Sequence, residues 1–299
     1  MRVAINTRLL IENKLDGIGR FTFETLKVLT KNNPKVEFHF IFDRPFSSDF
    51  IFSNNIIPHI LSPPTRHPLL WYIWFEFQLP RLLKKINADI FFSPDGFIPT
   101  NCQLPTVTVI HDINFEHNPN SLPFLHSLFY RTFFKKYAKL GDEIITVSNF
   151  SKEDIAKTYN INPKKIHVIY NGVSNLFRTI SKDKKNLIKK KYSSGTDFFM
   201  FIGSLHKRKN MKNLLLSFEE YKKTNGKLKL LVVGETKWTD QEVKNIYQNM
   251  SFKEDVILLG RINDEQLADI LASAHALCFI SMFEGFGLPI VEAMKCSVP

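Results

Sequence analysis

The chain is poor in several things, and each shortage excludes something. Its 299 residues hold three cysteines, Cys102, Cys278 and Cys296, far apart and without a Cys-x-x-Cys pair. That excludes a dense disulfide framework and predicts a reduced, cytosolic setting. The longest apolar run, Leu69 to Phe75, covers seven residues. A bilayer-spanning helix needs about 20. The N-terminus passes from Arg2 straight into Val3-Ala4-Ile5, without the apolar block of a secretion signal. No repeat of fixed period and no low-complexity tail is present.

What remains is an ordinary globular composition, with 44% hydrophobic and 23% charged residues. The length predicts about two domains. The net charge is +11. Twenty basic and fifteen acidic residues precede Gly172; twenty and fourteen follow from it. The excess is therefore spread along the chain. This argues against a dedicated nucleic-acid module and fits anionic substrates or an anionic membrane surface.

Short apolar runs alternate with helical patterns. Expected strands are residues 2–6, 36–42, 88–93, 106–110, 143–147 and 166–170 in the first half, and 198–202, 228–233, 256–259 and 276–280 in the second. Residues 43–66, rich in Pro and Ser, are expected to be irregular. Pro68–Lys85 is predicted helical with a kink at Pro80. Its aromatics serve either the core or a lipid-linked acceptor. A helix after Gly17 should carry Ile18, Phe21, Leu26 and Leu29 on one face. Leu122–Leu140 is predicted to bury Leu125, Leu128, Phe129 and Phe133 behind a basic stripe of Arg131, Lys135 and Lys139. That stripe is either a solvated face or a contact with anionic lipid. Ser148 or Ser151 is expected to cap the helix running to Tyr159. Strand–helix alternation at this spacing implies parallel sheets covered by helices. The expected boundaries are a first domain at 1–172, a Lys-rich connection at 173–196 and a second domain at 197–299.

The most informative stretch is Phe283-Glu284-Gly285-Phe286-Gly287-Leu288-Pro289-Ile290-Val291-Glu292-Ala293-Met294. Two glycines fall where a strand turns into a helix, and Pro289 falls in the first helical turn, where a missing N–H costs nothing. Such a corner offers backbone N–H groups and the positive end of a helix dipole to a phosphate. Glu284 and Glu292 flank it, and carboxylates suit hydroxyls rather than phosphate. Earlier, Gly203-Ser204-Leu205-His206-Lys207-Arg208-Lys209-Asn210 sets three adjacent cations beside a glycine turn, a clamp for a diphosphate. Near the N-terminus, Asp16-Gly17-Ile18-Gly19-Arg20 is a G-x-G turn without the full dinucleotide fingerprint. His111-Asp112 ends a strand at the sheet edge where doubly wound folds bind ligands. Asp112 either orients His111 or is structural.

Taken in order, these residues resemble the retaining glycosyltransferases of family 4. The Glu-x7-Glu motif at Glu284 and Glu292 is similar to that family's donor site, and G-x-G-R, H-D, N-G-V at Asn171–Val173 and R-K-N follow its sequence of motifs. The resemblance covers most of the chain. It implies an α/β fold of GT-B type, with two facing Rossmann-like domains and the donor in the cleft. It implies that Glu284 contacts the donor sugar and that the Gly285, Phe286, Gly287 and Leu288 backbone holds sugar and phosphate. Glu292 would hold the ribose. Gly203, Arg208 and Lys209 would take the leaving diphosphate, and Gly17, Gly19 and Arg20 would face the donor phosphates. His111 would lie near the donor sugar. No cofactor and no metal is expected, since no Asp-x-Asp occurs and Arg208 and Lys209 supply the cations. The implied partners are a GDP- or UDP-sugar and a glycan or lipid-linked acceptor, not nucleic acid. G-I-G-R-F points to mannose first. The implied setting is cytoplasmic, peripheral at the inner membrane face.

Three departures from the family pattern stand out. Ser174 replaces a usual Asp, Ser204 an Arg of some members, and Ser297 a usual Gly. The sequence ends at Pro299 within the family's A-M-x-C-G-x-P run, so the second domain is expected to be incomplete. A non-catalytic nucleotide-sugar-binding remnant is the alternative reading.

Overall fold

The computed structural model describes residues 1–12, 14–15, 17–205, 207–235 and 241–299. Asp16 and His206, which belong to the expected turn and cation loop, lie outside them. The chain divides into two compact units, Met1–Asn171 and Gly172–Pro299, each with its own sheet and core.

In the N-terminal unit the elements run β1 (Arg2–Asn6), α1 (Gly17–Asn32), β2 (Glu37–Phe42), β3 (Ile56–Ile60), α2 (Pro68–Ile73), α3 (Leu79–Lys85), β4 (Ile90–Ser93), β5 (Thr106–Val109), α4 (Asn114–His117), α5 (Phe124–Leu140), β6 (Glu143–Thr146), α6 (Asn149–Tyr159) and β7 (Ile166–Val168). The strands form one parallel sheet in the order β3-β2-β1-β4-β5-β6-β7. Alternation along β1 divides the core. Val3 and Ile5 pack with Phe38, Phe40 and Leu26 of α1 on one face. Ala4 packs with Ile41, Trp74 and Phe97 on the other. Ser148 caps α6, its Oγ accepting from the Ser151 N–H at 3.0 Å.

Several expectations change here. Strand β3 lies inside the stretch expected to be irregular. Its Pro58 is tolerated because β3 is an edge strand, where a missing donor breaks little. The helix over 68–85 does not simply kink at Pro80. It widens into a π turn at Trp74–Gln78 just before α3. Pro80 has no N–H for the Glu76 carbonyl, so the regular ladder is lost there. In α5 the buried face is Ser127, Phe129, Phe134, Tyr137 and Ala138, while Leu125 and Leu128 are 51% and 53% exposed. The aromatic contacts of Phe129 with Trp71 and of Phe134 with Phe97 set this rotation. In α1 the buried residues are Gly19, Thr22, Leu26 and Thr30, with Phe21 and Leu29 at the margin of the core.

In the C-terminal unit follow α7 (Lys182–Ser193), β8 (Phe198–Ile202), α8 (Met211–Lys223), β9 (Lys229–Val233), α9 (Gln241–Asn249), β10 (Val256–Gly260), α10 (Asp264–Ser273), β11 (Ala276–Leu277) and α11 (Leu288–Lys295). The parallel sheet has the order β10-β9-β8-β11. The Lys-rich stretch expected as a connection is largely α7. Ser181 caps it, Ile188 and Tyr192 pack into the core beside Phe177, and Lys184 Nζ meets Asp269 Oδ1 of α10 at 2.6 Å. The lysines mark its wet face; two apolar residues four apart were enough to bury the other. Strand β11 is shorter than expected, although the Cys278 N–H still donates to the Met200 carbonyl at 2.7 Å.

At the end of β9, Gly234 has φ +141°, and a Cβ there would lie 2.1 Å from the Gly203 carbonyl oxygen. The two strand ends cross this closely only because no side chain intervenes. Gly234→Ala is therefore expected to lower stability by about 2–4 kcal/mol. Gly172→Ala, with open space around it, should stay within about 0.5 kcal/mol. Denaturant unfolding of both variants checks this.

Candidate donor-diphosphate site

In the C-terminal unit the site grows from the end of β8. Gly203 carries the chain out of the sheet with φ +152°, and a Cβ on it would meet the Lys209 stem at 3.3 Å. The glycine lets the lysine lie against the backbone. A single 3₁₀ turn, Lys207–Lys209, follows. Asn210 then takes a left-handed conformation before α8 begins. This cation turn is tied to the chain leading to Glu284. The Met282 N–H donates to the Arg208 carbonyl at 2.9 Å, and Asn210 Nδ2 donates to the Ile280 carbonyl at 3.2 Å.

The side chains then meet. Arg208 Nη1 donates to the Phe283 carbonyl at 2.7 Å and reaches Glu284 Oε1 at 2.7 Å. Lys209 Nζ reaches the same carboxylate oxygen at 2.5 Å. Burial pushes the Glu284 carboxyl up, but hydrogen bonds and charge from Arg208 and Lys209 outweigh it and hold the group below the usual carboxylate range. The two cations and the acid, expected to serve different parts of a ligand, form one cluster. Gly285 and Gly287 are buried. Gly287 has φ +91° and opens α11 with no side-chain cap. Pro289 sits in the first turn, and Glu292 follows on the same helix, half-buried. Phe286 and Leu288 are also half-buried. Pro289 has no N–H and the Ile290 N–H is taken by the Gly287 carbonyl at 3.0 Å, so the corner offers the Leu288 N–H, four residues after the Glu284 on which both cations converge.

The N-terminal unit holds the other expected residues. Gly17 is exposed and is the first residue of α1, in the turn whose N–H groups find no carbonyl within the helix. Gly19 is buried, and a Cβ there would lie 2.7 Å from the Leu9 carbonyl. The close approach that needs this glycine is to the chain's own backbone. Arg20 is half-buried. His111 Nε2 lies 3.0 Å from the Pro94 carbonyl. A carbonyl only accepts, so Nε2 carries the hydrogen and Nδ1 is the acceptor. Burial lowers the His111 pKa, leaving the ring neutral at neutral pH. Phe21 of α1 meets the ring edge-on at 4.8 Å. Asp112 is engaged with the backbone instead: its Oδ1 accepts the Asn114 N–H at 3.0 Å, at the start of α4.

One cluster escaped the sequence reading. At the carboxyl ends of β1 and β4, buried Arg8 donates through Nε to Asp95 Oδ2 at 2.6 Å. Asn6 Nδ2 donates to Asp95 Oδ1 at 2.8 Å, and the guanidinium lies 4.2 Å from the Phe97 ring centre. The legible signal was three polar residues, Asn6-Thr7-Arg8, immediately after an apolar strand.

Two parallel α/β units with such a cation-and-glycine corner define the class of GT-B glycosyltransferases. Residues 15–175 match the model of Glycosyltransferase Family 4 and residues 183–299 match that of Glycosyl transferases group 1, and the chain belongs to glycosyltransferase family 4. It is similar to the O-antigen chain mannosyltransferase RfbU of Salmonella typhimurium, with 28% identity over 81% of this chain and 65% of RfbU. It is also similar to O-antigen chain mannosyltransferase B of Escherichia coli, with 26% identity over 97% of this chain and 79% of that one. The chain thus spans about two thirds of RfbU's length. Among solved structures, Anabaena HepE in complex with UDP and glucose superposes with a TM-score of 0.72 at 15% identity, covering 100% of this chain and 79% of HepE. WaaG, a glycosyltransferase involved in lipopolysaccharide biosynthesis, gives a TM-score of 0.72 at 15% identity, covering 99% and 80%. These two support the fold.

The depressed Glu284 pKa carries a sign. Its contribution to stability is present above the ordinary value of 4.5 and is lost as pH falls through the lower folded value. Wild-type protein should therefore lose stability more steeply than Glu284→Gln below about pH 4.5. Parallel unfolding curves from pH 5.5 downward, about one unit above that onset, would show that the cluster contributes nothing.

Proposed function

We propose that this protein transfers a hexose from a nucleoside-diphosphate sugar to a glycan or lipid-linked acceptor, with retention at the anomeric carbon, in surface polysaccharide synthesis. Mannose from GDP-mannose is the first expectation, supported by the mannosyltransferase relatives; UDP-sugars come next. The work is read as cytoplasmic, beside the membrane that holds the acceptor.

The reading rests on one observation: Arg208 and Lys209 converge on one carboxylate oxygen, within a few residues of the Gly287 corner. Loss of a nucleoside diphosphate builds negative charge on its outer phosphate. Preorganised cations, with the Leu288 N–H at the helix start, stabilise that charge without reorganising. On this reading Arg208 and Lys209 hold the diphosphate with the Gly285–Leu288 backbone. Glu284 turns to the sugar hydroxyls and to positive charge near C1, and Glu292 takes the ribose. Gly203 keeps the lysine in place. Gly17, Gly19 and Arg20 serve the donor phosphates from the N-terminal unit, and His111 Nδ1 accepts from a donor-sugar hydroxyl. The leaving phosphate oxygen takes the acceptor proton, so no separate base is assigned. No metal or other cofactor is assigned either, because the cations are side chains.

Glu284 and a diphosphate compete for the same two cations. Glu284→Gln should therefore bind GDP or UDP at least as well as wild type in calorimetry, yet transfer about 10²–10³-fold more slowly. Lys209→Ala should lose both binding and transfer while remaining folded. Transfer should persist in EDTA; a strict need for Mg²⁺ or Mn²⁺ would overturn the metal-free assignment. Nucleotide binding without transfer from any donor would favour a binding remnant.

A further inference from the structure

The carboxyl ends of β1 and β4 hold a buried ion pair that the transfer chemistry does not touch. The side chains of Arg8 and Asp95 are 5% and 4% exposed, and Arg8 Nε donates to Asp95 Oδ2 at 2.6 Å. Replacing such a pair by apolar residues of similar size is often neutral or stabilising. Stability alone therefore does not account for it. Its other contacts show what it holds. Asp95 Oδ1 accepts from Asn6 Nδ2 at 2.8 Å, from Ser93 Oγ at 3.0 Å and from the Phe97 N–H at 3.3 Å. One carboxylate thus closes the Ser93–Phe97 turn on itself and ties it to β1. Gly96 takes φ +88° in that turn, and a Cβ on it would lie 2.7 Å from the Phe134 ring. Arg8 completes the frame. Its guanidinium lies over the Phe97 ring, and Nη1 donates to Thr65 Oγ1 at 3.4 Å. Thr65 is held in turn by Asp43 at the end of β2, whose Oδ2 accepts both its N–H and its hydroxyl at 2.6 Å.

This turn carries the Pro94 carbonyl, 3.0 Å from His111 Nε2. The histidine is fixed from other sides too. Its own carbonyl accepts from Ser151 Oγ at 3.1 Å, and Phe21 meets the ring edge-on. A neutral imidazole has a single N–H. With the ring held in place, the position of the Pro94 carbonyl decides which nitrogen carries it. Among the described residues nothing bonds to Nδ1. We propose that Arg8 and Asp95 are positioning residues of the transfer site: they hold the Ser93–Phe97 turn so that the Pro94 carbonyl keeps the hydrogen on His111 Nε2 and leaves Nδ1 bare to accept from a donor-sugar hydroxyl. The use of the bare nitrogen rests on the proposed donor role of His111; the control of the tautomer does not.

The test is the tautomer of His111 in the ligand-free full chain, read from nitrogen-15 histidine spectra at about pH 8, where the ring is neutral. His111→Gln assigns its signal among the nine histidines. Wild type should show a protonated Nε2 and a bare Nδ1. Arg8→Met/Asp95→Asn removes both charges together, so neither is left uncompensated, and it should fold. Without the frame, the Nδ1–H form should rise about fivefold over wild type, the equivalent of one ordinary hydrogen bond. Arg8→Lys keeps the charge but not the planar fork, so it should fold and lie between the two. It decides the matter if the double variant does not fold. A merely structural pair would leave the tautomer where it is. An Nδ1–H tautomer in wild type, or the wild-type tautomer in every folded variant, would overturn the proposal. Calorimetry separates this from the donor reading. The variant with the shifted tautomer should bind GDP like wild type and GDP-mannose about fivefold more weakly, with UDP and UDP-glucose as the parallel pair. A shifted tautomer with unchanged binding of both donors would sustain the positioning role and overturn the donor role of His111.

Discussion

Glu284 is pinned by two cations from a distant loop, and the C-terminal site depends on that contact. Arg208 and Lys209 are 75 residues away in sequence. A lone carboxylate at this degree of burial is unfavourable, and adjacent cations repel each other. Held together, the three relieve one another, and the backbone bonds from Met282 and Asn210 fix the loops that carry them. The cluster also keeps Lys209 in the space that Gly203 leaves open.

The same logic governs the strand ends. Parallel strands put every turn into a helix on one edge of the sheet, and backbone approaches there are close. Gly234 against the Gly203 carbonyl and Gly19 against the Leu9 carbonyl are two such places. At Gly287 the requirement is a left-handed φ. A glycine in a βα turn is thus ambiguous in sequence. It signals an anion site or a tight crossing, and only the neighbouring atoms decide which. In the N-terminal unit, buried Arg8 and Asp95 stabilise the strand ends beside Pro94, whose carbonyl sets the His111 tautomer.

Much of the fold was legible because both units repeat one simple pattern. Apolar runs such as Phe198–Ile202 and Leu230–Val233 are too short for buried helices and carry no alternation, as strands covered on both faces require. The C-terminal corner was legible because glycine, proline, two acids and three cations fall at fixed local spacings. What failed were choices made by packing. Residues 56–60 read as a loop because proline and polar neighbours hid an edge strand. Lysines hid the apolar side of α7. The rotation of α5 was misjudged because phenylalanines occupy both faces, and ring contacts with Trp71 and Phe97 settled which were buried.

The amino-acid order alone was enough to establish two parallel α/β units and the glycine–proline corner with its flanking acids. These are local matters of period, spacing and side-chain type. Which groups touch was settled by folding. The shared oxygen of Glu284, the Pro94 carbonyl behind His111 and the Arg8–Asp95 pair join residues 17 to 87 positions apart, and no local spacing encodes such contacts.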